Sequence, residues 1–229
     1  MSEPQPVAFD DPGYRAAVVD LLGAVAYGEL SAFERLAEDA RLAPTLTDKV
    51  ALGKMASIQF GHVEPLFERI EALGVLPVAA MEPFRQAFDD FHAKTAPSDW
   101  FEGLIKAYVG DGLAADFYRE IAAFLDAGTR ELIIESLADA GHADFVVDRV
   151  CRAIAADPRV GGRLALWGRR LMGEALSQAQ RVAAERDSLA ALLAGGVDRP
   201  GMDLAALGRM FSRITENHAR RMAELGLAA

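Results

Sequence analysis

The sequence predicts an all-α protein: a four-helix bundle with one long crossover, followed by a C-terminal helical hairpin. Three observations carry this prediction. Fifteen-residue windows are rich in Ala, Leu, Glu and Arg, while β-branched runs are rare. Apolar residues recur at steps of three and four through four successive segments. The connections between those segments run short, long, short, the order of a bundle whose second and third helices are joined by a crossover. With 229 residues, 52% of them hydrophobic, the chain can bury a full core.

The elements follow in order. Pro4, Pro6 and Pro12 make residues 1–13 a loose arm. The first helix is expected over 14–40, broken by Ala43-Pro44-Thr45. Thr47 with Asp48 is the expected cap of the second helix, about 47–73, and Gly74 ends it. Residues 75–99 form the crossover, with a short helix around 81–92. Ser98 is the expected cap of the third helix, about 99–125. The turn Asp126-Ala127-Gly128-Thr129 leads into a fourth helix that stops at Ala156-Asp157-Pro158. Residues 14–157 therefore make the bundle. Residues 158–229 add two helices, about 159–194 and 203–226, packed on the bundle or building a homodimer contact.

Composition narrows the function. No stretch approaches ~20 uninterrupted apolar residues, so no membrane span is expected. The start, Met-Ser-Glu-Pro-Gln-Pro, lacks an apolar signal segment, and the single Cys151 cannot form an internal disulfide. Both features point to the cytoplasm. The formal charge of −10 is uneven: residues 1–151 carry 26 acids against 12 Lys and Arg, whereas residues 152–229 carry 8 acids against 12 Arg. Those arginines either present a basic face to nucleic acid or pair with acids of the first bundle and solvate two surface helices.

The chemistry sits in the apolar stripes. The first helix places Glu29 within Val18, Leu22, Val25, Phe33 and Leu36. The second sets Gln59 and His62 among Leu52, Met55, Leu66 and Leu73. The third sets Asp111 among Leu104, Tyr108, Ala115, Tyr118 and Leu125, and the fourth sets Asp139 and His142 among Leu132, Ser136, Val146 and Val150. Gln59/His62 and Asp139/His142 are two copies of one spacing, an oxygen and an imidazole three residues apart on one helix face. An isolated buried carboxylate costs several kcal/mol, and several facing carboxylates repel; a cation relieves both, and oxygen with imidazole suits iron or manganese. The competing reading is a hydrogen-bonded polar core without metal. Asp116 and Glu120 are alternatives to Asp111. Asp111 and Asp116 lie about 140° apart around the helix, so they cannot both face one centre. The stripe and the repeat favour Asp111, since Glu29 precedes Gln59 by 30 residues and Asp111 precedes Asp139 by 28. Glu34, Glu64 and Glu135 read as solvated.

On these residues the chain resembles the ferritin-like family of bacterial tRNA 2-methylthio-isopentenyladenosine hydroxylases, and more closely their uncharacterised branch. The resemblance covers about residues 18–195. It is carried by Gly28-Glu29-Leu30-Ser31-Ala32-Phe33, by the two helices bearing His62 and His142, and by Gly110-Asp111-Gly112 leading into Asp116-Phe117-Tyr118. It implies a ferritin-like bundle, a non-haem di-iron centre, dioxygen-dependent hydroxylation and a modified adenosine in tRNA as substrate. It would make Glu29, His62, Asp111, Asp139 and His142 ligands, with Gln59 at a bridging-carboxylate position. The sequence departs from that pattern at Gln59, a neutral amide where the family carries Glu, and at the shorter Asp111 and Asp139. Pro65 removes a backbone donor and is expected to kink the helix beside His62. These departures allow a mononuclear iron site, or a non-catalytic scaffold that has lost metal.

Overall fold

The computed structural model describes residues 11–138, 142–195 and 201–229, and the side chain of His142 lies outside the described atoms. All regular structure among these residues is helical. The helices are α1 (Pro12–Asp39, continued by a 3-10 turn, Ala40–Leu42), α2 (Leu46–Gly61), α3 (Val63–Ala72), α4 (Pro77–Lys94), α5 (Trp100–Ala122), α6 (Ala127–Ser136), α7 (His142–Ala156), α8 (Arg159–Glu185), α9 (Asp187–Ala194) and α10 (Leu204–Glu224).

Short polar side chains start the helices by satisfying free backbone N–H groups. Asp11 accepts from Gly13 N with Pro12 in the first helical turn, Thr45 from Asp48 N, Asp126 from Thr129 N and Asp203 from Ala206 N. Two expected caps are displaced. Thr45 rather than Thr47 caps α2, and Asp99 rather than Ser98 caps α5. In both cases the oxygen three residues before the free N–H wins, and the Ser98 hydroxyl donates instead to Glu102. Gly74 ends α3 at φ +74°, where a side chain would strain the backbone.

Three expected helices are broken. The second breaks at His62, which is at once the last cap of α2 and the first of α3. Pro65 is the cause, because it cannot donate to the carbonyl of Gly61 four residues earlier. The fourth divides into α6 and α7, and the fifth bends at Arg186, whose φ of −120° and ψ of 86° leave the helical region.

Two apolar clusters fill the interior. One gathers Leu21, Leu22 and Val25 of α1 with Leu66 and Ile70 of α3, Phe84 of α4, Ile133 of α6 and Leu189 of α9. The other gathers Leu104, Ile105 and Val109 of α5 with Leu164 and Leu171 of α8, Val146 and Val150 of α7, and Ile214 and Met222 of α10. The C-terminal helices thus contribute to the main core. Each fully buried Leu or Ile stabilises by about 1.5–3 kcal/mol, so α8 and α10 are strongly attached. The span Pro12–Leu42 is long and apolar enough by composition to cross a membrane, yet 61% of its most apolar window is buried inside the protein, as for a central bundle helix.

Charge completes the attachment. Arg163 pairs with Asp99 and Glu102, Arg181 with Asp90, Arg186 with Asp20, Arg213 with Glu120 and Arg221 with Asp116. Five arginines of the basic last third therefore face acids of the first bundle. The uneven charge of the sequence closes upon itself along these seams.

α1 and α4 approach tightly at Gly23, where an added methyl would overlap the backbone carbonyl of Ala80. Gly23→Ala must push the two helices apart, and backbone cannot yield as a flexible side chain can. Urea denaturation of this variant is expected to show a loss of about 3 kcal/mol in stability relative to wild type.

Candidate functional site

A chamber of about 240 Å³ lies where the two clusters meet, lined among others by Glu29, Gln59, Asp111, Tyr118 and Arg221. Each side chain has a local reason to be there. Glu29 follows the core run Val25-Ala26 on α1 and is only 6% exposed. Gln59, one turn before the Pro65-induced break, is likewise buried. The break carries His62 toward α1, so that its Nδ1 lies 3.3 Å from Glu29 Oε2. Tyr118 of α5 donates to the carbonyl of Ala24 at 3.2 Å, and its ring passes over Gly28, where a Cβ would stand 2.9 Å from the phenol oxygen.

Burial raises the Glu29 carboxyl above its ordinary value, and His62 opposes that rise. Tyr118 is pushed up by burial and by the Glu29 charge beside it. The site therefore holds a carboxylate at an energetic cost, the pattern of a group retained for chemistry or binding.

The six residues expected to ligate metal separate into three groups. Glu29, Gln59 and His62 come together. Asp111 lines the same chamber from α5, half-buried. Asp139 and the His142 side chain lie outside the described residues. Asp116, the alternative to Asp111, is buried but engaged elsewhere: Arg221 Nη2 donates to it at 2.6 Å and Asn217 at 3.1 Å. Arg221 lies flat on α5 at Gly112, where an added Cβ would meet its Cδ and Nε at 2.7 Å. Glu34, Glu64 and Glu135 are exposed.

Glu29 with His62 offers an oxygen and a nitrogen at one point, with the Gln59 amide nearby. Among the described residues, however, no three His, Cys, Asp or Glu side chains form a group able to hold a metal. The guanidinium of Arg221 contributes a fixed positive charge to the chamber wall, which disfavours a second cation there.

A second polar group, not anticipated from the stripes, lines the same chamber. Asp39 of α1, His92 of α4 and Lys106 of α5 all face it, with Arg35. Lys106 is 5% exposed, and its Nζ lies 5.7 Å above the centre of the Phe91 ring. Burial holds its pKa down to about 8, while burial and the neighbouring Lys106 and Arg35 charges hold His92 at about 3, a neutral imidazole. Burial raises Asp39, with Lys106 opposing. The sequence signal was faint: Lys106 lies between Gly103 and Gly110 at helical spacing, a face of small residues suited to close approach.

Comparison with known proteins agrees with this geometry at the level of fold. Comparison with curated protein sequences gives no match. A solved structure described as protein 19 with aldehyde deformylating oxidase activity, from Synechococcus, superposes with a TM-score of 0.73 at 20% identity, over 97% of this chain and 95% of that one. The family model described as the ferritin-like domain of actinomycetes matches residues 12–196. The chain belongs to that ferritin-like family of actinomycetes.

Proposed function

We propose that this protein is a single-site variant of the ferritin-like di-iron oxygenase architecture: an interior chamber in which Glu29 and His62 hold one iron for dioxygen-dependent oxidation or hydroxylation of a small substrate. The observation that carries this reading is the Glu29–His62 pair, a buried carboxyl at the chamber wall with a half-buried imidazole 3.3 Å from it. The oxidase activity in the description of the Synechococcus structure and the family membership support it.

Iron bound there would activate dioxygen, with the electrons beyond those taken from the substrate coming from an external reductant. The chain's own residues do the rest. Burial raises the Glu29 carboxyl, so a cation is the partner that relieves the cost of ionising it. Gln59 contributes an amide oxygen without charge. Tyr118 and the aliphatic walls of Leu36, Leu52 and Leu104 keep water from the reacting region. Arg221, held by Asp116, supplies a positive charge that needs no metal.

A second reading, a scaffold that has lost metal, is favoured by one observation. Glu29 and His62 already satisfy each other, and Arg221 neutralises Asp116. Elemental analysis separates the two. Protein made in iron-replete medium is expected to carry about one iron per chain, His62→Ala to lose it, and Gln59→Glu to raise occupancy. Wild type carrying below about a tenth of an equivalent, unchanged by His62→Ala, would establish the scaffold.

The raised Glu29 carboxyl gives a further prediction with a definite sign. As pH rises, the unfolded chain releases this proton before the folded one does, so the native state loses stability across that interval. Glu29→Gln is therefore expected to raise the Tm of the iron-free protein at pH 7 and to leave it nearly unchanged at about pH 3, where both states hold the proton. An equal effect at both pH values would show that Glu29 is not penalised.

The resemblance to tRNA hydroxylases supplies the substrate reading of a modified adenosine. Accumulation of the unhydroxylated nucleoside in modified-nucleoside profiling of a deletion strain would support that substrate over an aliphatic one. An unchanged profile rules that substrate out.

A further inference from the structure

Beside the polar chamber lies a larger cavity of about 590 Å³, bounded by α1, α4, α5, α8, α9 and α10. Its walls are almost wholly apolar, with Leu21, Phe84, Ile121, Val182, Leu189 and Met210 among them. The volume falls in the range of small-molecule sites, about 300–1,000 Å³. An open apolar space of this size inside a bundle forfeits packing contacts that a filled core would have.

The two spaces share a wall. Phe88, Phe91, Gly110, Ala114 and Tyr118 line both. Lys106 stands at that wall, one turn before Gly110 on α5 and over the Phe91 ring. Its ammonium makes no hydrogen bond or ion pair among the described residues. Beside it, His92 Nδ1 and Arg35 Nε are buried without a hydrogen-bond partner. Asp39 tempers this positive group, and Glu38 and Asp111 act on it from further away. Three unused donors therefore converge beside the residues that the apolar cavity and the polar chamber share.

We infer that the two cavities together bind a single-chain aliphatic carboxylate, its chain in the apolar cavity and its carboxylate received by Lys106, with His92 and Arg35 as further donors. A carboxylate supplies acceptors for donors that are otherwise costly to bury. An unbranched chain suits a lining without polar side chains along most of its length. The inference deepens the proposed function by naming a substrate class whose chain passes the Glu29–His62 pair's neighbour Tyr118. It does not require iron, so its failure and that of the oxidase reading are separable.

The test is calorimetric titration of the iron-free full chain with dodecanoate and with dodecan-1-ol. Saturable binding of one dodecanoate per chain is expected. Lys106→Met is expected to weaken dodecanoate about tenfold or more while leaving dodecan-1-ol within about twofold, because only the charged head is affected. Ala179→Phe, which fills the apolar cavity from α8, is expected to weaken both ligands. Methionine matches the buried lysine in volume without its charge, so Lys106→Met is expected to melt no lower than wild type and stands alone should Ala179→Phe fold poorly. No binding of dodecanoate to wild type, a change of less than about twofold on Lys106→Met, or equal weakening of the two ligands would each overturn the inference.

Discussion

Ion pairs between the acidic first bundle and the arginine-bearing C-terminal helices hold this molecule in register. Asp20, Asp116 and Glu102 are each buried, and each receives an arginine from α8, α10 or the bend between α8 and α9. A buried carboxylate stripped of its partner costs several kcal/mol, so these helices cannot detach without leaving charges stranded. The site inherits its walls from this arrangement. α8, α9 and α10 close the apolar cavity, and Arg221 of α10 reaches the polar chamber. The same pairing takes up part of the positive charge of the last third, five of its twelve arginines.

Polar groups within the bundle divide into those that satisfy one another and those that do not. Glu29 meets His62, and Asp116 meets Arg221 and Asn217. Lys106, His92 Nδ1 and Arg35 Nε meet no comparable partner among the described residues. Interiors seldom keep such donors idle, because each forfeits its hydration without recompense. Their convergence at one wall, next to an apolar void, gives a common explanation to two features that would each be anomalous alone.

Much of the fold was legible in the sequence, because it follows from rules of short range. Alternation at three and four residues, Pro44, Gly74 and Pro158 together delimit the helices, and Pro65 foretold the break at His62. The inward placement of Glu29 and Gln59 was legible for the same reason, since each interrupts an apolar stripe. What escaped was long-range. Nothing local to Asp116 announces an arginine 105 residues later that occupies it. Lys106 resembles any helical lysine until α1 and α4 are folded against its face. The displaced caps at Thr45 and Asp99 show the local rules competing among themselves: several oxygen-bearing side chains stood near each helix start, and position relative to the free N–H chose between them.

The fixed guanidinium of Arg221 has a consequence for how this protein comes into being. Many metalloproteins assemble only as the ion arrives, because their ligands repel until it does. Here Asp116 is paired with Arg221 and Glu29 meets the His62 ring with no ion between them. The polypeptide can therefore complete its tertiary structure without an ion, and the binding of one would be a later and separate equilibrium, set by the ion's availability rather than by maturation of the fold.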